Sequence, residues 1–85
     1  MFGLMQDWPL TVNRIIDHAA RWDGRRPVVS RRVEVSADGA LAVTDYAGVR
    51  DRARRLTSAL RGLGVCLGDR VATLAWNSDR HLECW

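Results

Sequence analysis

Between Tyr46 and Leu63 the chain carries its most constraining pattern. Tyr46, Val49, Ala53, Leu56, Leu60 and Leu63 follow one another at intervals of 3, 4, 3, 4 and 3 residues. A helix of 3.6 residues per turn puts all six on one stripe, and arginine and aspartate fill the opposite face. Asp45 stands at the N-cap position, where a carboxylate can accept from the first-turn amides. Gly64 follows the last member of the stripe and suits the left-handed residue that closes a helix. Gly48, in the first turn, costs about 1 kcal/mol relative to alanine.

The flanking segments read as further elements. Pro9 favours a helix start and Thr11 can cap one; Val12, Ile15, Ile16 and Ala19 then share a face, and Asp23-Gly24 ends it. His18 falls at the edge of that face and is read as structural. Val29, Val33 and Val35 alternate with polar residues as a half-buried edge strand requires, Asp38-Gly39 supplies a hairpin turn, and Leu41 and Val43 continue on the returning strand. After the loop Val65-Cys-Leu-Gly-Asp-Arg70 comes an apolar run, Val71-Ala-Thr-Leu-Ala-Trp76, which suits a parallel-sheet strand buried on both faces. Asn77-Ser78 resembles a cap, and residues 79 to 85 the first turns of a third helix. A strand buried on both faces needs neighbouring strands and covering helices that these elements do not provide, so a larger α/β enzyme is expected around them.

Composition narrows the function classes. At 47% apolar and 27% charged residues the chain is globular in type. Eighty-five residues make at most one small domain with a thin core. Four tryptophans, Trp8, Trp22, Trp76 and Trp85, call for more covering surface than such a chain offers. The net charge is +3, and all 13 basic residues are arginine. These arginines alternate with acids, and the cluster Arg50, Arg52, Arg54 and Arg55 contains Asp51. That pattern is read as a solvated helix face, not as a nucleic-acid stripe. Cys66 and Cys84 fit neither a disulfide framework nor a zinc motif; they are expected to be buried small hydrophobes in a reducing, cytoplasmic protein. No secretory signal and no membrane-spanning run is expected, because Asp7 interrupts the N-terminal apolar residues and Val71–Trp76 is far shorter than the roughly 20 residues a bilayer requires.

No catalytic constellation emerges. Gly62, Gly64 and Gly68 have the wrong spacing for a dinucleotide fingerprint and follow a helix instead of opening one. The absence of lysine excludes a GxxxxGK[ST] phosphate loop, and no GxSxG elbow occurs. Ser78, Asp79 and His81 are too close in sequence to form a relay, so Ser78 is read as a cap. Asp79 and Glu83, four apart, share a helix face that is expected to be solvated. No catalytic, cofactor-binding or metal residue is assigned.

Several strings nevertheless resemble one family. They are Met5-Gln-Asp-Trp-Pro-Leu10, Ile15-Ile-Asp-His-Ala-Ala-Arg21, Arg52-Ala-Arg-Arg-Leu56, Leu63-Gly-Val65, Gly68-Asp-Arg-Val-Ala-Thr-Leu-Ala-Trp-Asn77 and Arg80-His-Leu-Glu83. Together they are similar to the N-terminus of medium- and long-chain fatty-acid–CoA ligases of the adenylate-forming (AMP-dependent synthetase/ligase) superfamily. The resemblance covers nearly the whole chain apart from the hairpin around residues 34–42. It implies an α/β fold in which residues 1–85 are the incomplete N-terminal portion of the large domain: helix, β-hairpin, helix, buried strand and the start of a helix. It also implies a parent enzyme that uses fatty acid, ATP, Mg²⁺ and coenzyme A, first forming an acyl-adenylate and then a thioester. The family's phosphate loop, nucleotide contacts and catalytic lysine lie far downstream, so no cofactor is expected on these residues and the segment alone is expected to be inactive. Family relatives are often homodimers, which would give the tryptophans a surface to meet. Departures occur at Asp45-Tyr-Ala-Gly-Val49, where the family's capping-box glutamate is lost, at Cys66-Leu67, which replaces Lys-Pro, and at Cys84, where a small apolar residue is common. The alternative is a small arginine-rich, stand-alone binding or interaction module.

Overall fold

The computed structural model describes residues 3–32 and 40–85. Its elements run α1 (Val12–Asp23), β1 (Pro27–Arg31), β2 (Leu41–Asp45), α2 (Tyr46–Gly62) and α3 (Asp79–Cys84). The architecture is a small α/β unit of three helices and one two-stranded antiparallel sheet among the described residues. β1 and β2 pair in the register Val28↔Thr44, Val29↔Val43 and Ser30↔Ala42. α1 packs on α2, α2 on α3, and α3 reaches back to β1.

α2 forms where the stripe places it. The Gly48 amide donates to Asp45 Oδ1 at 2.7 Å, so one carboxylate satisfies an amide that has no partner within the helix. At the other end Gly64 takes a φ of +91°. The Gly64 amide donates to the Arg61 carbonyl at 3.0 Å and the Val65 amide to the Leu60 carbonyl at 3.1 Å. These two bonds make a Schellman closure, which a residue with a Cβ would strain. Tyr46, Ala53, Leu56 and Leu60 are half-buried and Val49 is 1% exposed. Leu63, the last member of the stripe, has left the helix and is exposed.

Four expectations change. Thr11 and Ser78 occupy the N-cap positions of α1 and α3, but neither hydroxyl bonds to a helix amide. The hairpin turns its valines outward: Val28, Ser30, Ala42 and Thr44 face the body, whereas Val29, Leu41 and Val43 are exposed. A strand's period of two decides this, because Ser30 is drawn inward and Val29 must then point the other way. Val33, Val35 and the Asp38-Gly39 turn lie outside the described residues. Val71–Trp76 is extended but pairs with no strand among the described residues, and all six residues are exposed. The two sheet strands pair with each other, and the run is aligned with neither. Cys66 and Cys84 are exposed free thiols, not buried ones.

The unit is therefore open. Its accessible surface is 7738 Å², against about 5,100 Å² for a compact monomer of this mass. The radius of gyration is 15.9 Å, against about 12 Å for a compact chain of this length.

Candidate functional site

Two features stand out: an apolar cleft and a set of arginine–carboxylate pairs around it. The cleft has a volume of about 460 Å³ and lies between α1, α2 and α3, floored by Val49, Ala53, Leu56 and Leu60 and flanked by Ile15, Ile16 and Leu82. It exists because α1 covers only part of the α2 stripe. α1 itself contains no buried residue, and Val12 and Ile15 remain exposed. The walls of the cleft are mostly apolar, with Asn13, Tyr46, Thr57 and Glu83 the polar residues among them, and a hydrophobic side chain fits such a lining.

The pairs are more ordered. Arg32 grips Asp79 with both carboxylate oxygens engaged, Nε to Oδ1 at 3.1 Å and Nη2 to Oδ2 at 2.5 Å. Arg52 Nε donates to Glu83 Oε1 at 2.6 Å, and Arg50 Nε to Asp17 Oδ1 at 2.5 Å. Asp79 and Glu83 share one face of α3, as their spacing demands, but the face is buried rather than solvated. The expectation failed because local sequence shows Arg80 and His81 beside them, whereas their partners arrive from 47 and 31 residues away. For the same reason Arg50 and Arg52 belong to no purely solvated face. The hydrogen bond from Arg32 holds the Asp79 carboxyl below its ordinary value of 3.8; the charges of Arg32 and Arg80 and a backbone bond from Arg80 act in the same direction, and burial opposes them. Arg55 pairs with Asp51 one turn away on the exposed side of α2.

The remaining chemistry-bearing residues do not converge. Ser78, Asp79 and His81 form no relay: Asp79 is committed to Arg32, and the His81 Nε2 lies 2.9 Å from Thr73 Oγ1. His18 stacks near Trp22 at 6.4 Å between ring centroids. Arg14 lies over the Trp8 ring at 4.9 Å, and Trp8, Trp22, Trp76 and Trp85 all keep exposed faces. Among the described residues no three His, Cys, Asp or Glu side chains come together. No described helix is long and apolar enough to cross a membrane.

The described residues thus form a small, open α/β unit with arginine–carboxylate pairs beside a largely apolar cleft. Comparison with known proteins gives its relatives. The chain is 46% identical over 85 residues to the 3-methylmercaptopropionyl-CoA ligase of Ruegeria pomeroyi. It is 41% identical over 85 residues to the medium-chain-fatty-acid–CoA ligase of Ectopseudomonas oleovorans, and 47% identical over 81 residues to the long-chain-fatty-acid–CoA ligase of Thermus thermophilus. These alignments take in 100%, 100% and 95% of the chain. No family model matches. Along its whole length the chain is similar to part of these acyl-CoA ligases. It spans about 15% of the length of the curated relatives it matches.

Proposed function

We propose that these residues are the N-terminal part of the large domain of an ATP-dependent fatty-acid–CoA ligase. The parent reaction joins a carboxylate to AMP with release of pyrophosphate, then transfers the acyl group to the thiol of coenzyme A. In this reading residues 1–85 touch none of the reacting atoms. They form scaffold, and ATP, Mg²⁺, coenzyme A and the acid are held by the rest of the parent protein, a cytoplasmic homodimer.

The observation that carries the reading is the identity of 41–47% to named CoA ligases along the whole chain. The open structure supports it. Val71, Leu74 and Trp76 on the extended run, and Val29, Leu41 and Val43 on the sheet, expose the apolar surface that a surrounding domain would cover. The excess of accessible surface, on the order of 2,600 Å² over a compact monomer, exceeds the roughly 800 Å² per partner of an ordinary protein contact. An arginine-rich binding module is disfavoured because Arg32, Arg50 and Arg52 are turned toward carboxylates of the same chain.

A chimera tests the proposal. The segment of the Ruegeria pomeroyi ligase matched by this chain is replaced with residues 1–85, and thioester formation from 3-methylmercaptopropionate, ATP and coenzyme A is measured. Activity with the relative's own acid preference is expected. A folded chimera that forms no thioester rules the reading out.

A further inference from the structure

The side chains that α3 buries are charged, whereas α2 buries Val49 and α1 fully buries none. α3 has six residues, too few to be stable alone. Its buried residues are Asp79 and Glu83; Leu82 is half-buried, and Cys84 and Trp85 are exposed. The two acids stand one turn apart and are gripped by arginines from different places, Arg32 just beyond β1 and Arg52 in α2. The carboxylate side chains are 4% and 8% exposed, and their arginines 29% and 43%. Removing one member of such a pair strands a buried charge, which costs far more than losing a surface pair. α1 and α2, by contrast, pack beside a cleft lined by Ile16, Val49, Ala53 and Leu56, and their own ion pair is open to solvent.

We propose that Arg32–Asp79 and Arg52–Glu83 form a two-point electrostatic latch for α3, which undocks as a unit while the body of α1, hairpin and α2 stays assembled. The latch also sets the position of the Val71–Trp76 run, because Thr73 is bonded to His81 on α3. It holds independently of the ligase reading, since it rests on contacts within the chain.

The test is amide hydrogen exchange on the 85-residue chain at neutral pH, with Arg32→Gln, Asp79→Asn, Arg52→Gln and Glu83→Gln made singly. The reporting amides are Leu82 and Trp85, which donate to the carbonyls of Ser78 and His81, and the control amides are Leu63 and Val65, which donate to carbonyls of α2. Each substitution is expected to speed exchange at Leu82 and Trp85 by about 10- to 100-fold, with Leu63 and Val65 changed less than about twofold. Absence of protection at Leu82 and Trp85 in the unsubstituted chain would overturn the latch. So would equal acceleration at the α2 amides, which would make the pairs a support of the whole fold. The arginine variants separate a latch from a purely local effect of an acid at a helix start: acceleration by Asp79→Asn without acceleration by Arg32→Gln also overturns it.

Discussion

Arg50 Nε on α2 donates to Asp17 Oδ1 on α1 at 2.5 Å, joining two helices whose contributing residues are 33 apart in sequence. Both side chains are about two-fifths exposed, so the pair is screened by water and ions. A double-mutant cycle with Asp17→Asn and Arg50→Gln should give a coupling of about 0.2–1 kcal/mol in urea unfolding. The coupling should fade in about 1 M NaCl, where the Debye length is roughly 3 Å. A coupling that persists at high salt would mean that the pair is effectively dry.

Val49 should matter more than any other apolar residue of α2. It is 1% exposed and lies where α1 and α2 meet. Val49→Ala is expected to cost about 2 kcal/mol, whereas Val29→Ala, on the exposed face of the sheet, should stay within about 0.5 kcal/mol. Thermal unfolding of the two variants side by side checks the contrast.

Asp45→Ala should destabilise by about 1 kcal/mol through loss of the bond to the Gly48 amide. Gly48→Ala should give none of the roughly 1 kcal/mol that helix propensity alone promises. A Cβ there would stand 2.8 Å from Thr44 Oγ1 and 3.1 Å from Asp45 Oδ1. A clear rise in Tm for Gly48→Ala would show that the cap can give way at no cost.

Acid should act on α3 through Asp79. Its folded value lies below 3.8, with the Arg32 hydrogen bond as the main cause. A carboxyl depressed in the folded state binds protons less readily there than in the unfolded chain. Its contribution is therefore complete above the ordinary value and is lost as pH falls through the folded one. Protection of the Leu82 amide should hold down to about pH 4 and decline below it, with a shallower decline in Asp79→Asn. An equal slope in both proteins would remove Asp79 as the cause.

The parts of this fold that are local in origin were legible in the sequence. α2 was readable because a stripe, a cap and a closing glycine all agree within 20 residues of chain, and the boundaries of α1 and α3 followed from the same kind of signal. The facing of the hairpin was not, because the choice between Val28 and Val29 as the inward residue depends on what packs against the strand. The burial of Asp79 and Glu83 was invisible for a related reason: their counter-charges come from Arg32 and Arg52, and nothing in the sequence around residue 79 announces them. The apolar run reads as a strand buried on both faces, but its composition does not provide neighbours, and among the described residues it is exposed and joins no sheet. The resemblance to CoA ligases was readable from short strings that the comparisons bear out.

The extended Val71–Trp76 run has a consequence for biosynthesis. Its exposed apolar side chains, and a backbone that joins no strand among the described residues, make it open to capture by other chains. A ribosome adds on the order of 5–20 residues per second, so any later strand that shelters this run arrives after a delay of seconds. Until the run is sheltered, those six residues offer an apolar segment of extended backbone that another chain can pair with.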